Sequence, residues 1–362
     1  MVEAVLAMRR ARLSPVKVRV FIVKIGACEV GRSGYVAPRF HHASRQHGCS
    51  GRLATCCAGR PAMPVIGYLS SESLKADAMR TVGFRKGLSE AGFIEGQNVT
   101  VEYRWADGDY KRLPELAADL VRRQVTVIAA IGGTAPAVAA KGATSTIPVV
   151  FNIGADPIQL GLVNSLNHPG TNMTGVVVLS SELAGKRLQL LKELLPSATA
   201  FALLTNPSNP AHESEARVAQ EAAQFLGVHL DVLRASTAIE VEAAFDALAG
   251  LKASGLVVAV DAFFTGQDKE IVKRAAEHAM PTVYGWRSFT DAGGLMSYAP
   301  NIGEGYRSVG ILVGRILRGD KPADLPVEQV TKVEFIINLK TARSLGVDFS
   351  LPLVGRANEV ME

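Results

Sequence analysis

Residues 125–162 constrain the fold of this chain most strongly, because one local pattern occurs in them twice. Each repeat is a short apolar run, a turn of small residues and a segment that favours helix. The first run, at 125–131, is rich in β-branched residues, which is typical of a strand buried on both faces of a parallel sheet. Gly132 and Gly133 then allow a sharp turn, and Thr134 is a favourable N-cap for the helix that follows.

The second repeat ends the same stretch and points to the same edge of the sheet. Residues 148–151 predict another buried strand, and Asp156 caps a predicted helix that has Pro157 at its first position. In both repeats the strand leads to small residues that face free helix N–H groups. Such groups suit a carboxylate, and ligands of open parallel sheets lie beyond the carboxyl ends of the strands. We therefore expect a binding site at this edge.

The alternation of strand and helix continues along the chain. In the first half, further strands are predicted at 64–69 and 98–104, and helices at 77–91 and 110–123. A strand at 172–179 opens the second half, followed by strands at 201–205, 229–234, 256–260 and 281–284 and helices at 183–195, 213–226, 239–248 and 267–278. Further elements are predicted at 295–298, 303–317, 332–337 and 339–345. This pattern predicts an α/β fold of two similar Rossmann-like lobes with parallel sheets, joined by a hinge of several crossings.

The predicted division is a leader followed by two lobes. The leader is residues 1–62, which we expect to be disordered or to reflect a misassigned start. The first predicted lobe is 63–175 plus about 294–325, and the second is 176–293 plus about 326–362. At this length each lobe can enclose its own apolar core.

Charge and cysteine are concentrated in the leader. It carries eleven Lys and Arg against two Asp and Glu, and it contains all four cysteines. The remaining residues carry 28 Lys and Arg against 32 Asp and Glu, so the +5 of the whole chain comes from the leader. The lobes therefore lack the basic surface that nucleic-acid binding requires. The spacing of His and Cys in the leader matches no usual zinc pattern.

Several segments of residues 63–362 together carry a family resemblance. They include PVIGYLSS at 64–71, FRKGLSEAGFIEGQNVTVEYRWADGDYKRLPELAADLV at 84–121, GGTAPA at 132–137, DPIQLGLV at 156–163, NPSNP at 206–210 and RANEVME at 356–362. This part of the chain resembles the substrate-binding proteins of bacterial ABC importers, and more closely the subfamily that includes tryptophan- and tyrosine-binding members.

The resemblance implies the type I periplasmic binding fold and a periplasmic location. It also implies capture of a small amino-acid-like or aromatic solute by lobe closure, and delivery to ABC permease subunits. We expect a monomer. The leader departs from the family pattern, because its apolar run at 20–25 is short and is interrupted by Lys24, so no export signal is evident.

Twelve residues at or just past predicted strand ends are candidates for contact with the solute. They are Ser70, Ser71, Gly133, Thr134, Asp156, Asn206, Asn209, Asp261, Phe263, Tyr284, Trp286 and Tyr298. Gly133 and Thr134 offer N–H groups and a hydroxyl to a carboxylate, and Asp156 offers a carboxylate to an ammonium group. Each candidate has a structural alternative: helix capping for the serines and aspartates, turn formation for the asparagines, and a core or hinge role for the aromatic residues.

Residues 63–362 show no motif typical of catalysis. There is no G-x-S-x-G, no Walker loop and no G-x-G-x-x-G after the first strand. We therefore expect a binding protein that is not an enzyme and that uses no cofactor, metal or nucleic acid. The alternatives are a two-domain α/β enzyme or a cytosolic ligand sensor that uses the same cleft. A DNA-binding repressor would need two amphipathic helices, which the leader lacks.

Overall fold

The computed structural model describes residues 63–178 and 180–362, so the expectations for the leader lie outside the described residues. The strands are β1 (Val65–Ser70), β2 (Thr100–Trp105), β3 (Val127–Ile131), β4 (Val149–Ile153), β5 (Met173–Val177), β6 (Ala200–Thr205), β7 (His229–Arg234), β8 (Leu256–Val258), β9 (Thr282–Tyr284), β10 (Met296–Pro300), β11 (Glu328–Gln329), β12 (Val333–Asn338) and β13 (Glu359–Met361).

The helices alternate with these strands. They are α1 (Ala78–Glu90), α2 (Leu113–Arg122), α3 (Thr134–Ala143), α4 (Leu183–Leu194), α5 (His212–Leu226), α6 (Ala238–Leu251), α7 (Ala262–Gly266), α8 (Asp268–Glu277), α9 (Arg287–Asp291), α10 (Ile302–Leu317), α11 (Leu339–Leu345) and α12 (Leu351–Arg356). Short 3-10 turns lie at Tyr110–Arg112 and Pro322–Asp324.

Two separate sheets organise the described chain. The first has the strand order β11-β5-β4-β3-β1-β2, and all its pairings are parallel. The second has the order β13-β12-β10-β9-β8-β6-β7, in which β10 and β12 pair antiparallel and the other pairings are parallel. We call the first sheet with α1, α2, α3 and α10 lobe 1, and the second sheet with the remaining helices lobe 2. The predicted α/β fold with two mostly parallel sheets is confirmed.

Each sheet is covered by helices on both faces, as parallel sheets require. In lobe 1, Tyr68 of β1 packs with α1 and α10, whereas the next residue, Leu69, packs with α2 and α3 on the opposite face. Leu113 and Leu120 of α2 point inward as its periodicity predicts. In lobe 2, α4 and α5 cover one face and α6 and α8 the other. These cores hold the strand ends in fixed positions.

The helices α1 and α10 lie unusually close together, because glycines line their contact. A Cβ atom at Gly87 would overlap the carbonyl of Arg307, and one at Gly310 would overlap the carbonyl of Phe84. Close approach of this kind needs residues without side chains. The contact ties α10, which arrives late in the chain, to the first helix of lobe 1.

The crossings between the lobes differ from the predicted boundaries. The second lobe was expected to begin at residue 176, but β5 runs to Val177 and is hydrogen-bonded along its length to β4 within lobe 1. Residues 294–325 were expected in the first lobe, but β10 pairs with β9 and β12 in lobe 2, whereas α10 and Leu325 pack in lobe 1. Likewise β11, placed by prediction in the second lobe, pairs with β5. Of these pairings only that of β11 with β5 joins strands distant in sequence, and local patterns do not encode which strands pair.

Candidate functional site

A cavity of about 510 Å³, including the space that opens to solvent, lies between the two lobes. It is bordered by the carboxyl ends of β1, β3 and β4 from lobe 1 and by the loops after β6 and β8 from lobe 2. The lining residues used below are Glu72, Arg80, Tyr110, Gly133, Thr134, Asn152, Ser180, Asn209, Val260, Asp261, Trp286 and Tyr306.

The Gly-Gly turn after β3 forms one wall of the cavity. Gly132 and Gly133 have φ of 85° and 115°, a backbone region that favours glycine. A Cβ on Gly132 would lie 2.9 Å from the hydroxyl oxygens of both Ser70 and Ser71. The Ser71 hydroxyl donates to the Gly132 carbonyl, and the Ser70 hydroxyl accepts from the Glu72 N–H at 3.2 Å. The two serines are fully buried beneath the turn and shape it, and they do not line the cavity.

Glu72 is a buried carboxylate with one oxygen committed and one free. Its Oε1 lies 3.0 Å from the guanidinium of Arg80, and both side chains are buried. Its Oε2 has no hydrogen-bond partner among the described residues. Burial raises the pKa of Glu72 to about 8, against the opposing effect of Arg80. Glu72 lines the cavity, so this unpaired oxygen is a candidate partner for a ligand donor.

Arg80 extends from α1 across the cleft. Its guanidinium lies 5.7 Å from the ring centroid of Trp286, on lobe 2, and 5.9 Å from that of Tyr306, on α10. Burial disfavours the charge on Arg80, but Glu72, Tyr306, Asp77 and Tyr68 together outweigh this and raise the pKa of the guanidinium above its ordinary value. The cation and the two aromatic rings form a flat, partly apolar wall.

Asp261, by contrast, is a carboxylate whose acceptor positions are filled. Its Oδ1 accepts from Asn206 Nδ2 and from the N–H of Phe264, both at 3.1 Å. Its Oδ2 accepts from Asn209 Nδ2 at 3.1 Å and from the Tyr110 hydroxyl at 2.6 Å. Burial raises its pKa even though all four donors oppose the shift. A carboxylate has about four acceptor positions, so Asp261 has none left for a solute.

Asn152 supplies an unpaired donor on the lobe 1 side. It lies within β4, an otherwise apolar strand, and is buried at the cavity wall. Its Nδ2 has no hydrogen-bond partner among the described residues. Next to it, the first turn of α3 presents the N–H groups of Thr134 and Ala135, which a helix leaves without internal partners. This side of the cavity therefore suits an acceptor such as a carboxylate.

A buried ion pair supports the lobe 2 wall from behind. Arg187 donates to Glu215 at 2.9 Å, to the carbonyl of Tyr298 at 2.9 Å and to that of Ser180 at 3.2 Å. Glu215 in turn accepts from the N–H of Val260 at 3.2 Å. Burial raises the pKa of Glu215 to about 7, with Arg187 opposing. The pair thus links the segment after β5 to β10 and to the end of β8.

The structure brings together about half of the residues that the sequence proposed for the site. Those that line the cavity are Gly133, Thr134, Asn209, Asp261 and Trp286. Asn206 lies beside them and holds Asp261. Strand ends from both lobes therefore converge as expected.

Asp156 does not reach the cavity, contrary to its proposed role with an ammonium group. It is exposed, and its Oδ1 accepts from the N–H of Ile158 at 2.8 Å. The segment after it forms turns where a helix was predicted. An Asx-turn satisfies this carboxylate locally.

Three of the aromatic candidates also lie elsewhere. Tyr284 is buried in lobe 2 and stacks on Phe289 at 4.8 Å. Tyr298 packs against Phe335 with ring centroids 6.1 Å apart. Phe263 borders a separate interlobe pocket beside Gly108. These positions fit the core and hinge alternatives.

Sequence analysis missed the groups whose chemistry is most distinctive. These are Glu72, Arg80, Tyr110, Asn152 and Tyr306. Two of them carried a signal: Asn152 interrupts an apolar strand, and Glu72 directly follows the two serines that end β1. Arg80 and Tyr306 lie within helices, where a polar residue usually marks the solvent face.

The described residues contain no group of three or more His, Cys, Asp or Glu side chains that could hold a metal ion. Among the same residues, none of the helices is long and apolar enough to span a membrane.

Comparison with known proteins finds relatives and similar structures, three of which are described here. The tyrosine-binding protein of Clostridioides difficile (strain R20291) is 29% identical over 264 residues, which cover 73% of this chain and 75% of that protein. The crystal structure of an ABC domain in complex with L-Trp from Streptococcus pneumonia has a TM-score of 0.76 at 23% identity, covering 82% of this chain and 99% of that chain. The ligand-free, open structure of a substrate binding protein with adhesive properties from Clostridium difficile has a TM-score of 0.59 at 25% identity, with the same coverage of 82% and 99%.

The family model described as ABC transporter substrate binding protein matches residues 63–361. This match spans both lobes and the cavity between them. The chain belongs to the family of ABC transporter substrate-binding proteins.

Proposed function

We propose that this protein captures a small amino acid, preferably an aromatic one, outside the cytoplasm and delivers it to the permease subunits of an ABC importer. The observation that carries this proposal is the pair of unpaired polar atoms in the cavity wall, Glu72 Oε2 and Asn152 Nδ2. One accepts and the other donates, which matches an ammonium group and a carboxylate. Relatives named for tyrosine binding or solved with L-Trp support the same class of solute.

Each end of the amino acid has a matching group in the cleft. Glu72 Oε2 receives the ammonium group, in the role that the sequence assigned to Asp156. Asn152 and the first turn of α3 receive the carboxylate. The side chain then lies against the wall that Trp286 and Tyr306 form around Arg80, where an aromatic ring can stack.

Closure follows from contacts that the solute makes with both lobes. Glu72, Asn152 and α3 belong to lobe 1, whereas Trp286 belongs to lobe 2. A solute that touches both binds the closed state more tightly and shifts the population toward it. We propose that a single copy of the chain performs this capture, because the cavity is completed by the two lobes of one molecule.

The test is a thermal-shift and calorimetric screen of the full chain against amino acids, sugars and nucleosides. L-Tyr or L-Trp present at 100 times its Kd is expected to add about 2.7 kcal/mol to the free energy of unfolding. N-acetyl-L-tyrosine, which lacks the ammonium group, serves as the matched control and is expected to bind far more weakly. Equal binding of the two compounds, or a response to sugars or nucleosides alone, would contradict the proposal.

A further inference from the structure

Tyr110 makes a direct bridge between the two lobes. It lies in the 3-10 turn after β2 of lobe 1, and its hydroxyl donates to Asp261 Oδ2 of lobe 2 at 2.6 Å. The same hydroxyl accepts from the N–H of Ala262 at 3.1 Å. One hydroxyl group therefore makes two hydrogen bonds across the cleft, and both must break when the lobes separate.

The acceptor of this bridge is assembled within lobe 2 alone. The other three donors to Asp261 are Asn206, Asn209 and the N–H of Phe264, and all belong to lobe 2. The carboxylate thus keeps its orientation whether or not Tyr110 is present. A charged acceptor held in place in this way makes a stronger hydrogen bond than a neutral one.

The backbone beside Tyr110 is built for close contact between the lobes. Gly108 has φ of 81°, and a Cβ at this position would lie 3.1 Å from the Cα of Phe263 in lobe 2. This spacing is tighter than ordinary van der Waals contact, so any side chain here would press the lobes apart. Gly108 therefore allows the Tyr110 hydroxyl to reach Asp261.

We infer that Tyr110 is a positioning residue that latches the lobes through Asp261 and so strengthens the binding of every solute of the cleft by the same factor. The latch differs from Glu72 and Asn152, whose unpaired atoms are left for the solute. Asp261 has no acceptor position left for a solute. It therefore affects binding only through lobe closure, whatever the chemistry of the solute. The uniform effect on affinity rests on the proposed function, whereas the effect on lobe closure does not.

The experiment compares Tyr110→Phe with the wild-type full chain by small-angle X-ray scattering and by calorimetric titration with L-Tyr and L-Trp. Without solute, the variant is expected to have a larger radius of gyration, because its closed state has lost the bridge. The Kd values for both amino acids are expected to rise by a common factor of about ten, since apparent affinity follows the population of the competent state. Saturating L-Tyr is expected to restore the wild-type scattering curve.

Two controls separate the latch from general damage. Tyr103→Phe removes a hydroxyl that bonds Glu95 and Arg85 within lobe 1, and it is expected to leave both scattering and affinity unchanged. Gly108→Ala is also expected to favour the open state, because its methyl group would lie against Phe263. Gly92→Ala is the control for this variant. Gly92 has a similar φ of 87° but no atom within 4 Å of its Cβ position.

Either of two results would overturn the inference. In the first, the scattering curves of Tyr110→Phe and Gly108→Ala are indistinguishable from those of their control variants. The other is an unequal loss of affinity for L-Tyr and L-Trp, which would place Tyr110 in contact with the solute. If neither amino acid binds the wild-type chain, the proposed solute is wrong, and the scattering comparison without solute still decides the latch.

Discussion

Two buried carboxylates in one cleft have different roles because their hydrogen-bond surroundings differ. Asp261 accepts from four donors, so its charge is fully used inside the protein. Glu72 contacts Arg80 with one oxygen, and its other oxygen has no hydrogen-bond partner among the described residues. The local sequence does not distinguish them, since both follow the end of a parallel strand. Only the count of donors around each carboxylate separates a structural role from a binding role.

Binding of an ammonium-bearing amino acid is expected to tighten as the pH rises from about 6 to 8. The pKa of Glu72 is raised to about 8 by burial, with Arg80 lowering it and Asp77, Asp261 and Asp268 raising it further. Glu72 therefore holds a proton at pH 6 that an incoming ammonium group must displace, and the affinity gains up to tenfold per pH unit. Calorimetry of L-Tyr binding at pH 6, 7 and 8 measures this dependence.

The matched variant for this titration is Glu72→Gln, which keeps the shape of the side chain and removes its charge. It is expected to bind L-Tyr more weakly and without the rise between pH 6 and 8. Glu115→Gln on the surface of α2 is the control and is expected to retain the rise. A wild-type affinity that stays constant across this range would show that no proton leaves Glu72 on binding.

The sequence predicted which strand ends form the candidate site. It did not predict which side chains at those ends point into the cavity. Thr134 and Asn209 line the cavity because the carboxyl ends of parallel strands must converge. Asp156 also follows such a strand, yet it turns back to cap its own backbone. The competition between a local Asx-turn and a distant ligand is settled by tertiary packing, which spacing along the chain does not report.

At the scale of elements, α1 shows how packing overrides an apolar pattern. Met79, Val82, Phe84 and Leu88 are the large apolar residues of this helix, but Met79 is 75% and Val82 59% exposed. The buried face instead carries Phe84 and Leu88 together with glycine and Arg80. Glycine contributes nothing to a hydrophobic periodicity, so this periodicity cannot predict a helix contact that glycines form.

Replacing Gly310 by alanine is expected to destabilise the protein by about 1–3 kcal/mol. The new methyl group would overlap the Phe84 carbonyl, and α1 and α10 must move apart to admit it. Gly142→Ala in α3 is the control, because no atom lies within 4 Å of its Cβ position. It is expected to be neutral or slightly stabilising, since alanine favours helix. Chemical denaturation of both variants measures the difference, and equal stability of the two would contradict close packing at α10.

At the scale of the whole molecule, the alternation of strands and helices was predictable, and the path of the chain between the lobes was not. The central strands β1, β3, β4, β6 and β8 appear in the sequence as apolar runs, because parallel strands inside a sheet are buried on both faces. The path of the chain near β5, β10 and β11 depends on which strands pair: β5 and β10 pair with the preceding strands, and β11 returns to β5, and the sequence carries no local mark of this choice. The Arg187–Glu215 pair lies where these crossings meet and holds the carbonyls of Ser180 and Tyr298.

The stability of the protein is expected to depend on pH through two buried carboxyl groups, one beside the cleft and one near these crossings. The pKa values of Glu72 and Glu215 are raised from 4.5 to about 8 and about 7. The folded protein therefore keeps protons that the unfolded chain releases, so stability is greatest below pH 4.5 for these two groups and is lost as the pH rises through 7 to 8. Carboxyl groups with lowered pKa, such as Glu90 and Glu359, act in the opposite direction but only at pH values below about 4.5. The thermal midpoint of the full chain without solute is expected to fall from pH 5 to pH 8.

The Glu215→Gln variant shows whether this fall originates in the buried pair. It leaves Arg187 without its charged partner and is expected to be less stable than the wild type, because an uncompensated buried charge is costly. Its thermal midpoint should nevertheless depend less on pH, since one of the buried carboxyl groups that release a proton on unfolding is gone. Glu213→Gln, two residues away and exposed, is expected to keep the full slope. A slope in Glu215→Gln as steep as that of the wild type would mean that Glu215 is already ionised throughout this range, and that the pair holds the crossings as a permanent salt bridge.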